Sequence, residues 1–180
     1  MLTGHFYDSN STRKFESFLK SVKNLIIVCD PPFGIMVEAL FRTIRQLKDK
    51  FVDVHQKESY RINLILVMPL FVGKHVKECD DSMEMVDYKI CYVNHSKYAK
   101  PQKSIVRFFT GLPLKQFVLP AESGYRFCEM CERYVANENR HCGLCGICPS
   151  KDQFLLSNKY SGGFFRMERH IGIVHDVIAV

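Results

Sequence analysis

The tetrapeptide Asp30-Pro31-Pro32-Phe33 has the residue types and order best suited to chemistry on an amino group. The two prolines lack a backbone N–H and have a fixed φ, so the turn offers acceptors without competing donors. The Asp30 carboxylate and the Pro31 carbonyl could both accept from one exocyclic amine, and so favour the pyramidal form that it takes during attack on an in-line methyl donor. Phe33 would lie on the ring that bears the amine, where stacking is worth roughly 1–3 kcal/mol per base.

A second group of candidate residues is a cluster of five cysteines and one histidine near the C-terminal end. Thiolates and imidazole at this spacing are the ligands of tetrahedral zinc. The N-terminus has neither a basic segment nor an apolar segment of a signal peptide, which favours metal in a reducing compartment over disulfides. The six candidate ligands are Cys128, Cys131, His141, Cys142, Cys145 and Cys148.

Two arrangements of these ligands remain open on spacing alone. A plain ribbon would use the first four cysteines of the cluster. An interleaved arrangement would pair Cys128 and Cys131 with His141 and Cys148, and would leave the two intervening cysteines to begin a second site.

The elements that must position Asp30 follow from the apolar pattern. Residues 25–29 are apolar and stop at an acid and two prolines, which predicts a buried parallel strand whose carboxyl end faces a ligand. Residues 4–8 predict a strand with Asp8 at the same crevice. Helical spacing predicts amphipathic helices over residues 15–22 and 35–50, with a loop through His55. Further strands are predicted at 62–70, 83–93 and 104–110, so the fold class is α/β with a mainly parallel sheet and an antiparallel final hairpin.

Composition sets the class of partner. The 180 residues are 47% apolar, enough to fill a core, and a net charge of +6 favours a polyanion such as nucleic acid. No apolar run reaches membrane length, so a soluble intracellular protein is expected. Five basic residues around one loop could guide a phosphate backbone, namely Lys97, Lys100, Lys103, Arg107 and Lys115.

Two motifs resemble those of known families. Asp-Pro-Pro-Phe resembles the [Asn/Asp]-Pro-Pro-aromatic signature of S-adenosylmethionine-dependent amino-methyltransferases, which act on adenine N6, cytosine N4 or glutamine amides. The run His-Cys-x2-Cys-x2-Cys resembles the cysteine-rich zinc scaffold of the Asp-His-His-Cys acyltransferases, and this favours the interleaved ligand arrangement.

The order of motifs over about residues 1–152 resembles the family of rRNA N6-adenosine methyltransferases that carry a zinc-finger CCHC domain. The motifs are His-Phe-Tyr-Asp, Asp-Pro-Pro-Phe-Gly, Val-Asn-His-Ser-Lys-Tyr, Ser-Ile-Val-Arg-Phe-Phe-Thr and Leu-Pro-Ala-Glu-Ser-Gly-Tyr-Arg-Phe-Cys. The resemblance implies methyl transfer from S-adenosylmethionine to an adenosine of large-subunit ribosomal RNA in the nucleus, nucleolus or cytoplasm. It implies catalysis by Asp30, Pro31, Pro32 and Phe33, with Asp8 and Asp30 contacting the cofactor.

The same resemblance implies a division of the chain and two departures from the family. Residues 1–120 would be the C-terminal part of a Rossmann-like methyltransferase domain, 121–152 a cysteine-rich zinc module and 153–180 a divergent tail. The family's catalytic domain begins before the equivalent of Met1, so the strand at 25–29 would face water along one edge. Weak or no cofactor binding is then expected, and the alternative function is a non-catalytic, zinc-binding RNA-binding module.

Overall fold

The computed structural model describes residues 9–55, 60–94, 98–144 and 146–149, with the side chains of Ser9 and Gln102 left out. Asp8 and Cys145, both predicted site residues, and the predicted tail lie outside these ranges. The helices are α1 (Ser9–Ser21), α2 (Val37–His55) and α3 (Gly73–Cys79). The strands are β1 (Asn24–Cys29), β2 (Arg61–Pro69), β3 (Glu84–Val86), β4 (Val106–Thr110), β5 (Tyr125–Cys128) and β6 (Arg133–Ala136).

Four of the strands form one mixed sheet in the order β1-β2-β4-β3. β1 and β2 are parallel, while β4 is antiparallel to both β2 and β3. Three strands therefore run in one direction, and the last strand of the sheet is inserted between two of them in reverse. The predicted α/β class and the antiparallel pairing of the final two strands are confirmed.

One face of α2 covers this sheet and makes the main core. Leu40, Phe41 and Ile44 recur at the spacing of a single helix face and are all buried. They belong to one apolar cluster with alternate residues of β2, Leu64, Leu66 and Met68, and with residues of α3 and β4. The helix is thus fixed across β1 and β2, and its first turn lies next to the segment that follows β1.

The predicted burial of β1 is wrong for the described part of the chain. Ile26 is 54% exposed and Val28 is 66% exposed, while the alternate residues Leu25, Ile27 and Cys29 are half-buried. The physical reason is that β1 lies at the edge of the described sheet, with β2 as its strand partner and α2 on one face. An apolar run predicts a strand but cannot say whether both of its faces are covered.

The end of α2 also differs from the prediction. The helix continues to His55, which was predicted to lie in a loop, and His55 is buried. Its Nε2 atom lies 2.9 Å from the carbonyl oxygen of Leu19 in α1, and its ring packs against Phe51. The hydrogen bond satisfies a polar group that would otherwise be costly to bury, so α1 and α2 are joined at this point.

The predicted strand at 83–93 is much shorter, since β3 covers only Glu84–Val86. After Val86 the chain leaves the sheet at Asp87, whose carboxylate accepts the Ala136 N–H of β6 at 2.9 Å. The segment 87–92 therefore does not continue β3, and it contacts both the β5–β6 pair and the start of β4.

β5 and β6 form a two-stranded antiparallel hairpin that packs against the edge of the larger sheet. Val86 of β3, Leu119, Tyr125 of β5 and Ala136 of β6 share one apolar cluster. The hairpin and the sheet are therefore in direct contact. No helix in the described ranges is both long enough and apolar enough to cross a membrane.

Candidate functional site

Asp30 lies at the carboxyl end of β1, where the chain turns into α2. Asp30 is exposed and Pro31 behind it is buried. The turn is closed by the Ile35 N–H, which donates to the Pro32 carbonyl at 3.0 Å. Among the described residues, no backbone N–H donates to the Pro31 carbonyl. This position, beyond the carboxyl end of a parallel strand, is where open α/β sheets bind ligands.

Phe33 forms the aromatic side of this corner. The residue is half-buried and lies outside the main apolar cluster. Its ring centroid is 6.3 Å from that of Tyr92 and 6.1 Å from that of Tyr98, with the planes inclined at 61° and 54°. These tilted contacts are the arrangement that aromatic pairs prefer. They hold Phe33 at the mouth of the corner and keep it out of the core.

Tyr92 is a residue of this corner that the sequence analysis missed. Its hydroxyl donates to Asp30 Oδ1 at 2.9 Å. Burial, and then the hydrogen bond to Asp30 and its negative charge, raise the pKa of Tyr92 to about 12. Tyr92 immediately precedes the Val-Asn-His-Ser-Lys-Tyr motif on which the family resemblance partly rested, and that position was the available signal.

The second site is a cluster of four metal-ligating side chains in and beside the β5–β6 hairpin. The ligand atoms of Cys128, Cys131, His141 and Cys148 all lie within 4.8 Å of one another. Cys148 Sγ is 3.6 Å from Cys128 Sγ and 3.8 Å from Cys131 Sγ. His141 Nδ1 is 3.1 Å from Cys131 Sγ and 3.8 Å from Cys128 Sγ.

Most of these distances are close to those of a tetrahedral zinc site. Zinc bonds of about 2.3 Å to sulfur and about 2.0 Å to nitrogen place ligand atoms about 3.5–3.8 Å apart at the corners of a tetrahedron. The separation of 3.1 Å between His141 Nδ1 and Cys131 Sγ is shorter. Three thiols and one imidazole are also a common donor set of structural zinc. The four residues are the set of the interleaved arrangement, and Cys142 is not among them.

Local backbone geometry brings these ligands together. The Cys131 N–H donates to the Cys128 carbonyl at 3.2 Å, which closes a tight turn between the first two ligands. Glu132 follows with φ of 48°, in the left-handed region that a non-glycine residue seldom adopts. Gly146, with φ of 66°, provides the corresponding turn before Cys148. Both turns point thiols toward one centre.

The crowding of the thiols changes their acidity. Burial, and then hydrogen bonds with Cys128 and Cys131, raise the pKa of Cys148 to about 12. Burial also acts to raise the pKa of Cys128, but hydrogen bonds, the first of them from the Cys131 backbone, lower it below its usual value. Binding of a cation would release the protons that these thiols hold, because zinc binds the thiolate form.

The basic residues predicted to meet a phosphate backbone have different surroundings. The prediction that Arg107 contacts phosphate is wrong, because Arg107 is only 2% exposed and its Nε lies 3.8 Å from the Asp87 carboxylate. Burial lowers the pKa of Arg107, although the charge of Asp87 opposes that shift. Lys100 and Lys103 are exposed, Lys115 lines a cavity of about 430 Å³ beside the hairpin, and Lys97 lies outside the described residues.

Comparison with known proteins identifies relatives of the chain. No protein-family model matches it. The rRNA N(6)-adenosine-methyltransferase ZCCHC4 of Homo sapiens is 37% identical over 161 residues, which are 84% of this chain and 31% of the human protein. ZCCHC4 of Xenopus laevis is 35% identical and that of Mus musculus 36%, each with about 30% of the relative's length covered. The chain belongs to the ZCCHC4 family.

The relationship to ZCCHC4 confirms the family predicted from the order of motifs. The chain spans about a third of the length of the curated ZCCHC4 proteins that it matches. The matched portion extends over 78% to 84% of the chain, so both the Asp30 corner and the hairpin are features of a ZCCHC4-like segment.

Proposed function

We propose that the chain takes part in S-adenosylmethionine-dependent methylation of adenosine N6 in large-subunit ribosomal RNA. The observation that carries this proposal is the exposed Asp30 carboxylate at the carboxyl end of β1, with Phe33 beside it. The curated relatives are named for this activity, which supports the same reaction class. Methylation of ribosomal RNA would place the protein in the nucleus or nucleolus, or in the cytoplasm.

Each residue of the corner has a role in that reaction. S-adenosylmethionine would supply the methyl group. The Asp30 carboxylate and the Pro31 carbonyl would each accept a hydrogen bond from one N–H of the adenine amino group. These two bonds would orient the nitrogen lone pair, which is weakly nucleophilic while delocalised into the ring. Phe33 would stack on the purine. Pro32, whose carbonyl closes the turn, would keep the corner rigid.

The cofactor would lie next to the same carboxylate. Asp30 is exposed at a position where α/β sheets bind ligands, so it fits a polar contact with S-adenosylmethionine. Asp8 is proposed as a second contact. Zinc would be held by Cys128, Cys131 and His141 together with Cys148, whose distances suit a closed structural site. Cys142 and Cys145 are proposed as ligands of a second ion.

RNA would be recognised through an unstacked adenosine and through contacts with the phosphate backbone. Lys100 and Lys103 are exposed on the connection that leads from Tyr98 to β4, close in sequence to the aromatic residues of the corner. Their charges would attract the backbone on either side of the target base.

A second candidate function is a zinc-dependent RNA-binding module without catalysis. One observation favours this function: Ile26 and Val28 form an exposed apolar face of β1. A cofactor site beside β1 would be more stable if another element covered that face. The two candidates differ in what stabilises the protein. Catalysis predicts that S-adenosylmethionine raises the melting temperature of the zinc-loaded chain, and the binding module predicts that zinc alone does so.

The test of the proposed function is the variant Asp30→Ala. Methyl transfer to an adenosine-containing ribosomal RNA fragment, measured as N6-methyladenosine by mass spectrometry, should fall by about 10²–10³-fold because a major acceptor of the amine is lost. Zinc content and the circular dichroism spectrum should not change. Asp53→Ala, which removes an exposed carboxylate from α2, is the matched control. Full activity of Asp30→Ala would exclude Asp30 from the reaction.

A further inference from the structure

We propose that Tyr92 is the positioning residue for Asp30, and that the β5–β6 hairpin holds Tyr92 in place through the segment 87–92. This inference rests on the proposed function, since it assigns a partner to the carboxylate that would accept the adenine amine. The segment, called the strap below, begins at the end of β3 and ends at the Asp30 corner.

The first anchor of the strap is Asp87. Its Oδ2 atom accepts the Ala136 N–H of β6 at 2.9 Å and also accepts from the side-chain amide of Asn139. Asp87 and Asn139 are both buried, so these hydrogen bonds are shielded from solvent. The start of the strap is thus fixed to the hairpin that carries the first two candidate zinc ligands.

The second anchor is Lys89. Its backbone N–H donates to the hydroxyl oxygen of Tyr125 in β5 at 2.9 Å. Its ammonium group pairs with the Glu138 carboxylate, two residues beyond β6. Asp87 therefore contacts the hairpin region through its side chain, and Lys89 contacts it through both its backbone and its side chain.

The strap is then held against the beginning of β4. The Ile90 N–H donates to the Val106 carbonyl at 3.2 Å, and the Ser104 hydroxyl donates to the Ile90 carbonyl. Ser104 is buried. Both backbone polar groups of Ile90 are paired, so the strap has little freedom to shift along the sheet edge.

The last residue of the strap contacts the proposed catalytic group. The Tyr92 hydroxyl donates to Asp30 Oδ1, and its ring lies against Phe33. The Tyr92 N–H donates to the Tyr98 carbonyl at 3.1 Å, which joins the strap to the second aromatic neighbour of Phe33. With Oδ1 engaged by Tyr92, Asp30 is restrained in one rotamer and Oδ2 is directed to the substrate amine.

Tyr92→Phe tests the proposal because it removes the hydroxyl and keeps the ring against Phe33. We expect kcat for RNA methylation to fall between about threefold and tenfold, the range for one partly exposed hydrogen bond to a carboxylate, with KM for RNA unchanged. Tyr60→Phe, whose ring packs on Phe51 at the end of α2, is the matched control. An unchanged kcat, or a higher one because the hydroxyl competes with the amine, would overturn the positioning role.

A measurement without turnover separates this inference from the proposed function. In the full chain labelled with fluorotyrosine, the fluorine resonance of Tyr92 can be assigned by its loss in Tyr92→Phe. That resonance should titrate at a lower pH in Asp30→Asn than in the parent, and should shift in Tyr125→Phe. A titration unaffected by Asp30→Asn would refute the Tyr92 contact, and a resonance unaffected by Tyr125→Phe would refute the role of the hairpin. Absence of methyl transfer in the parent would instead refute the proposed function.

Discussion

The ion pair between Asp87 and Arg107 gives the sharpest stability prediction. Asp87 is 4% exposed and Arg107 2% exposed, and the Asp87 Oδ1 atom lies 3.8 Å from Arg107 Nε. The Arg107 guanidinium also donates to the carbonyls of Ser104 and Val106 at 3.0 and 2.9 Å. The variant Asp87→Ala would leave this guanidinium buried without the negative charge that acts on it most strongly, and would take the acceptor from the Ala136 N–H.

The expected loss of stability follows from that geometry. Removing one partner of a buried ion pair typically costs about 3–5 kcal/mol, because the remaining charge is uncompensated. The free energy of unfolding of a domain is about 5–15 kcal/mol, so Asp87→Ala should remove a large part of it. Replacing both charges by apolar groups removes the uncompensated cation, so the double variant Asp87→Ala with Arg107→Met should regain about 2 kcal/mol or more.

Urea unfolding of the zinc-loaded protein, followed by circular dichroism, measures the effect. With a denaturant slope of about 2 kcal/mol per molar, Asp87→Ala should lower the midpoint by about 1.5–2.5 M. The control is Asp81→Ala, which removes an exposed carboxylate just before β3 and should leave the midpoint within about 0.3 M. A loss below about 1 kcal/mol for Asp87→Ala, or a double variant less stable than the single one, would refute the reasoning.

Two further predictions concern zinc and pH. Chelation of zinc should abolish amide-exchange protection in β5 and β6 and preserve it in β2 and β4, because the ion would supply the folding energy of the hairpin; parallel loss in both sheets would contradict this. The pKa of Tyr92 is raised to about 12 from an ordinary value near 10, so its contribution to stability is complete below pH 10 and is lost as the pH rises toward 12. The difference between the urea midpoints of the parent and Tyr92→Phe should therefore be constant up to about pH 10 and should disappear as the pH rises from 10 toward 12. A difference that stays constant over that range would contradict the raised pKa of Tyr92.

Local sequence signals predicted the parts of the molecule that depend on neighbouring residues. The apolar run before Asp30 and the two prolines after it specify a strand, its last residue and a turn, and β1 ends at Cys29 as that pattern requires. The four clustered ligands follow from short spacings within 21 positions, from Cys128 to Cys148. In both cases one short segment of sequence determines both the residue types of the site and the local backbone geometry.

Features that depend on distant packing could not be predicted in this way. Arg107 lies in a strand with basic residues on both sides in sequence, and only the buried carboxylate of Asp87 distinguishes it from a surface cation. His55 extends α2 because the Leu19 carbonyl, 36 residues earlier, is placed to pair with it. The exposure of β1 depends on which elements cover it, and the residue pattern within the strand does not contain that information.

The contact between Tyr92 and Asp30 links the Asp30 corner to the hairpin that carries the candidate zinc ligands. The two residues are 62 positions apart, and neither has a pattern that points to the other. The strap between the sheet and the corner is short and paired at Asp87, Lys89 and Ile90, so a displacement of the hairpin would be passed to Tyr92 with little loss. A zinc site that only stiffened the hairpin would need no such connection. Through the paired strap, the proposed zinc ion would affect the proposed methyl transfer without contacting the substrate.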